Sequence, residues 1–393
     1  MTTARQDAER AGELAALREA VRDLVEGSGG IAPARRRLTD GPGPAEPKDA
    51  EPKDAERKDA EPGYDEVAWR LLGTEMGLAG LGIAEDLGGA GGGLAELTVV
   101  AEELGRVLLP VPFFSSTVLT GQILARCPDT GPDVLARLSA GGELAAFAGT
   151  DPDGCWRPDR LPAQAQADGP GWRLRGRADF VLDAAAAAHL VVAARTPAGC
   201  DLFLVAGDAE GVQRQALATL DPTRAQASVS LHGAPGTPLT TGGVGAAAVA
   251  AGLDVALVVL AAEQVGGATA CLDLAVEYAK LRHQFSRPIG SFQAIKHKLA
   301  DLLLLVEMGR SAVDRALTAE HDPARLAEAA AVAKIWCSDS YTTVATENVQ
   351  IHGGIGFTWE HNAHLYFRRA RADEQLLGDA TVHRERLAAL LGW

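Results

Sequence analysis

Apolar residues along the first 26 positions recur at helical spacing: Ala8, Ala11, Leu14, Leu17, Val21 and Leu24. That pattern predicts an amphipathic helix over 5–26. From Gly27 to Pro62 the pattern dissolves. The motif EPKDA stands at 46–50 and again at 51–55, followed by ERKDA. Alternating charges and prolines cannot assemble a core, so 27–62 is expected to be a disordered, solvated insertion. Order returns at Gly63 with YDEVAWRLLGTEMG, read as a helix that ends in a glycine-rich loop at 88–93. No strand precedes GGAGGG and no Lys-Ser/Thr follows it, so it is read as a loop and not as a phosphate cradle. Further helices are expected at 94–109, which stops before Pro110 and Pro112, at 115–126 and at 130–140.

Between 143 and 240 the period changes. AAFAG, GWRLRGRADFVL, HLVVAAR, DLFLVAG and ASVSLHG are short, β-prone runs separated by Gly, Pro and Asp, which predicts a β-sandwich or barrel of seven or eight strands. Beyond 245 the chain reads as helices to the end: 247–284, a second from about 292, a third from Asp322-Pro323 to about 348, a fourth after a turn at 353–363, and a last from Asp379 or Ala380. Long helices with short joints predict a four-helix bundle. The fold class is therefore α+β and multidomain: an α-helical domain over 1–140 carrying the 27–62 insertion, a β middle domain over 141–243, and a C-terminal bundle over 244–393.

The joint Tyr278–Val306 is the most informative stretch. Arg282, His283, Gln284 and Phe285 are read as closing one helix, Arg287-Pro288-Ile289-Gly290 as the turn, and Ser291 as the N-cap of the next. Phe292, Ile295, Leu299, Leu302, Leu303 and Val306 make one apolar face of that next helix. A guanidinium, an amide and an aromatic ring at one helix end suit a flat ligand carrying phosphates. They equally suit a plain capped corner.

The totals narrow the class. A net charge of −15 over 393 residues argues against nucleic acid, whose binding needs clustered Lys and Arg. Five scattered cysteines without C-x-x-C read as reduced packing residues, in keeping with a cytoplasmic location. The N-terminus has no apolar signal core and no uninterrupted span of about 20 apolar residues occurs, so no membrane crossing is expected. His352, His361, His364 and His383 lack ligand spacing, so no metal is expected. The Arg368-Arg369-x-Arg371 triplet reads as a solvent-facing stripe, an ion-pairing one, or a phosphate contact.

The order R-x-Q-F-x-R-P-I-G-x-F-Q-A-x-K-H-x-x-A-D from Arg282 to Asp301, followed by Gln350-Ile351-His352-Gly353-Gly354-Ile355-Gly356-Phe357, resembles the signature of the acyl-CoA dehydrogenase family. The resemblance is close over 245–393, thinner over 63–140 and weak over 141–240. It implies FAD as cofactor and α,β-dehydrogenation of an acyl-CoA or carrier-bound acyl thioester, an oxidoreductase acting on CH–CH donors. It implies an electron-transfer flavoprotein or similar acceptor and a homo-oligomer, because Arg282, Gln284 and Phe285 would reach the flavin of a neighbouring subunit, with Gln350, Gly353 and Gly354 at its pyrophosphate or adenosine end. Thr381 matches a hydroxyl that touches the cofactor.

The chain also departs from the family pattern. In the middle domain the matching residues are Phe147 and Thr150, then Phe180-Val181-Leu182, where the ring survives and the family's hydroxyl does not. The family's catalytic Glu has two known places; they correspond here to the turn Leu377-Gly378-Asp379-Ala380-Thr381 and to Ala256. Asp379 is the surviving candidate base, roughly 1.5 Å shorter in reach than Glu, or else only the N-cap of the last helix. Asp254 and Glu263 are weaker candidates. These departures leave two alternatives: a non-catalytic subunit of a hetero-oligomer with a related chain, or a repurposed fold without flavin.

Overall fold

The computed structural model describes residues 2–40, 63–127 and 132–393; the EPKDA repeat lies outside them. The N-terminal domain contains α1 (Thr2–Gly27), α2 (Ala32–Asp40), α3 (Glu66–Trp69), α4 (Leu94–Val107), α5 (Gly121–Leu124) and α6 (Pro132–Ser139). Wide helical turns at Arg70–Glu75 and Phe113–Thr120 extend α3 and lead into α5. The helix α2 corrects the expectation of a structureless 27–62. Its three arginines tie it down: Arg36 pairs with Asp65 at 3.3 Å, Arg37 donates to the Tyr64 carbonyl and Arg35 to that of Trp359. Ala34, just before them, is wholly buried in the apolar cluster around α7. A nine-residue helix beside a low-complexity repeat has too few apolar positions to show a period.

The middle domain is a seven-stranded barrel: β1 (Ala145–Ala148), β2 (Ala163–Asp168), β3 (Gly171–Leu182), β4 (His189–Thr196), β5 (Gly199–Ala206), β6 (Val212–Ala216) and β7 (Gln226–Pro238). β4 carries β1 and β2 in parallel on one edge and β5 antiparallel on the other. From β5 the ladder passes through β7 and β3 back to β2, which closes the ring, and β6 lies on β7. Alternation puts Leu174, Leu190, Val192, Phe203, Val205 and Val229 inside.

The bundle is built on α7 (Gly245–Leu281), followed by a two-stranded hairpin, β8 (His283–Gln284) and β9 (Arg287–Pro288), then α8 (Gln293–Leu317), α9 (Pro323–His352), α10 (Ala363–Gln375) and α11 (Ala380–Leu390). By length and composition α7 could span a membrane, yet 78% of its most apolar window is buried inside the protein. A helix apolar all round and covered all round is a core helix. It crosses α4 with the backbones in contact: a Cβ on Gly266 would meet the Glu102 carbonyl oxygen at 2.0 Å, and one on Gly105 the Glu263 carbonyl oxygen at 2.1 Å. The joint differs from the expected helix end. The helix stops at Leu281, and Phe285 and Ser286, at φ +53° and +63°, turn the hairpin. Ser291 is not the N-cap; its hydroxyl donates to the Pro288 carbonyl at 2.7 Å, and Phe292 takes the cap position. Asp322 does cap α9, accepting from the Arg325 amide.

A buried charge network joins all three domains. Arg369 of α10 donates to Asp221 and Thr223 on the loop between β6 and β7 and to Glu263 of α7. Arg224, on the same loop, donates to Glu263, lies 3.3 Å from Asp373 and sits over the Phe114 ring of the N-terminal domain. Burial alone would raise both the Glu263 and Asp221 carboxyls, but Arg224 and Arg369 more than offset it at Glu263, and Arg369 with the Thr223 hydrogen bonds does so at Asp221, holding both below their usual range. Asp373 fares worse. Burial pushes its carboxyl up to about 6 despite Arg224, and neither of its oxygens has a hydrogen-bond partner. The Arg369 side chain is thus buried, not the solvent-facing stripe open from sequence.

Two outcomes follow. Gly266→Ala should destabilise the protein by about 1–3 kcal/mol through overpacking at the crossing, read as a lower urea midpoint. Because the folded state holds the Asp373 proton more tightly than the unfolded one, Asp373 detracts from stability increasingly as pH rises from the ordinary Asp range through about 6. Asp373→Asn should therefore gain stability relative to the natural chain between pH 4.5 and 7 in parallel denaturation curves; parallel pH profiles would contradict the assignment.

Candidate functional site

A cleft of about 560 Å³ opens between the barrel and the end of α10, a size within the range of small-molecule sites, ~300–1,000 Å³. Phe147, Thr150 and Phe180 all line it, together with Leu119, Leu182, Arg371, Gln375 and Leu377. The ladder from β3 to β7 slips between Ala178 and Val181, and Phe180 sits at φ +58°. A bulge of this kind turns a side chain out of the pleat; the Phe180 ring is 46% exposed on the cleft wall. The Thr150 hydroxyl, by contrast, is buried and within 3.4 Å of the Asp179 carbonyl. Leu182 occupies the wall where the resemblance expects a hydroxyl.

The cleft lining ends at Leu377, two residues before Asp379. One oxygen of the Asp379 carboxylate accepts both the Thr381 and Val382 amides, at 2.9 and 3.0 Å, which makes it the N-cap of α11. Thr381 is exposed on the first turn of that helix. Ala256 is wholly buried and brings no carboxylate. Glu263 belongs to the charge network, and Asp254 pairs with Arg386.

Arg282, Gln284 and Phe285 lie elsewhere, on the hairpin at the end of α7, and all three are exposed, Phe285 by 88%. Gln350, Gly353 and Gly354 sit at the end of α9 on the same end of the bundle, since the Tyr278, His352 and His361 rings stack between the two elements at 4.4 and 4.1 Å. Burial, with the His352 charge adding, lowers His361 to about 4, so His361 is neutral at physiological pH. The space in front of Gly353 and Gly354 is open. The amide of Gly353 is already spent on the Val349 and Gln350 carbonyls; Gln350 and Gly354 are exposed.

The six residues of this exposed face and the cleft residues do not meet within one chain. The turn at 353–362 precedes α10, and the cleft is lined by that helix's last turns, from Arg371 to Gln375, so roughly 12–18 Å of helix separates them. A flavin dinucleotide fits this arrangement in halves. The cleft has room for a flat ring against Phe147 and Phe180, and the hairpin face presents an exposed aromatic, amide and guanidinium. Arg371 and Gln375 are cleft residues that pattern reasoning did not pick as such; the arginine triplet was visible, but its periodicity could not say which guanidinium would face inward. Among the described residues no group of three or more His, Cys, Asp or Glu is arranged to hold a metal.

Comparison with known proteins identifies the family. The model of the acyl-CoA dehydrogenase C-terminal domain matches residues 243–392, and that of the N-terminal domain matches 47–128. The acyl-CoA dehydrogenase IpdE2 of Mycobacterium tuberculosis is 38% identical over 317 residues, covering 80% of this chain and 83% of that protein. Among solved structures, a variant of the Tcur3481-Tcur3483 steroid ACAD superposes with a TM-score of 0.83 at 32% identity, covering 97% of this chain and 98% of the other. The ChsE4-ChsE5 complex from Mycobacterium tuberculosis superposes at 0.80 with 28% identity, covering 96% and 97%. This chain belongs to the acyl-CoA dehydrogenase family.

Proposed function

We propose that the chain works in flavin-dependent α,β-dehydrogenation of an acyl-CoA thioester, with FAD as the cofactor. The observation that carries this is the pairing of a ring-sized cleft with an exposed Arg282-Gln284-Phe285 hairpin on the same chain. When bound, the flavin supplies a hydride acceptor. The chain's own residues do the rest. Phe147 and Phe180 flank the ring, and the apolar wall of Leu119, Leu182 and Leu377 keeps water from the acyl group. Arg282 and Gln284 of one subunit hold phosphate and ribose edges of the cofactor seated in its neighbour. The unpaired oxygen of Asp379 takes the proton from the acyl α-carbon. A bulky, polycyclic acyl group is favoured by the apolar cleft and by the likeness to a steroid ACAD. Electrons then pass to an electron-transfer flavoprotein or similar acceptor, in the cytoplasm.

A second reading has specific support. The hairpin face is complete, whereas the cleft lacks both family positions for Glu, and its surviving carboxylate is a helix cap. ChsE4-ChsE5, to which the chain is similar, is a complex of two named components. On this reading the chain completes the flavin site of a related partner and leaves the base to it.

Two measurements separate these. The purified chain should be yellow, and its flavin absorption should bleach when an acyl-CoA is added; a colourless chain that turns active only when co-purified with a related subunit favours the second reading. Asn caps helices as well as Asp, so Asp379→Asn should leave the melting temperature unchanged and slow bleaching by about a hundredfold or more. Unchanged bleaching would transfer the base to another chain.

A further inference from the structure

Resting on the cofactor reading, we infer that Arg371 sets the electron affinity of the ring that occupies the cleft, with Glu374 as its internal brake. Arg371 and Asp153 are the two charged residues on the cleft lining. They are not equivalent. Asp153 stands on the barrel loop and is already neutralised by Arg160 at 2.9 Å. Arg371 pairs with Glu374, one helical step along α10, and Glu374 is not on the lining. The Glu374 carboxylate lies within 3.4 Å of the Thr342 hydroxyl of α9. Of this pair the cation belongs to the residue on the cleft lining, and the carboxylate to a residue off it that is tied to the bundle.

A cation beside a flavin ring favours whichever redox form carries more negative charge. That is the reduced form, which holds two more electrons than the oxidised one and takes up fewer than two protons when the ring stays anionic. The half-enclosed cleft strengthens the effect over its value in water. Arg371 does not take a proton or touch the acyl carbons in this scheme. It is a positioning charge that tunes the acceptor, and Glu374 moderates it.

The test is the midpoint potential of the flavin bound to the full-length protein, purified alone or with its partner subunit, together with FAD affinity from fluorescence quenching. Arg371→Gln should weaken the preference for reduced over oxidised flavin about tenfold, a fall of ~30 mV for a two-electron couple. Arg371→Lys should restore most of it. Glu374→Gln, which removes the counter-charge and leaves the guanidinium, should move the potential the other way. A merely structural pair would shift both variants in one direction. Flavin bound with potentials equal in all three variants, or shifted alike in Arg371→Gln and Glu374→Gln, overturns this role alone. A wild-type protein that binds no FAD in any preparation overturns the cofactor reading as well.

Discussion

The contact between Arg369 and its carboxylates, Asp221 and Glu263, is the constraint on which the arrangement rests. A guanidinium with almost no solvent access is tolerable only when its donors are taken. Here they are taken by groups from two domains: the Glu263 oxygen on the core helix of the bundle, and Asp221 with the Thr223 hydroxyl on a barrel loop. Arg224 completes the set and leans its face on Phe114 of the third domain. The network fixes where the β6–β7 loop lies against α10, and that loop forms one wall of the cleft. Domain geometry and cleft shape are therefore decided by the same few ions. The residual imbalance at Asp373, a carboxyl with both oxygens unmet, is the cost of packing two guanidiniums and three acids in one dry space.

The second consequence of this frame is that the chain carries two half-sites that do not face each other. The cleft belongs to the junction of barrel and α10. The hairpin and the glycine turn belong to the far end of α7 and α9, held side by side by three stacked rings. Neither half alone encloses a dinucleotide. A flat ligand with a long phosphate arm has more to gain from both than from either.

Much of this was legible in sequence, and the exceptions have physical causes. The three domains were visible because the hydrophobic period changes from helical to alternating near 143 and back near 245. Asp322-Pro323 marked the start of α9 because capping is local. The hairpin residues read from sequence as a helix end, since two consecutive left-handed non-glycine residues contradict ordinary propensity; here they come with tertiary packing, Phe285 against Phe292 and Arg287 over the same ring. The charge network was invisible because Asp221 and Arg369 are 148 residues apart and periodicity reports only neighbours. α2 was hidden by the repeat beside it.

The distance between the half-sites bears on how such chains diverge. When one copy of a duplicated gene loses its acid or its ring contacts, nothing in the hairpin at the other end of α10 has to move. Where the hairpin covers a neighbour's cofactor, the impaired copy can go on serving its sister. Decay of one function and retention of the other are thus separable steps, and a pair of unequal subunits is a natural resting point for a lineage that started with two equal ones.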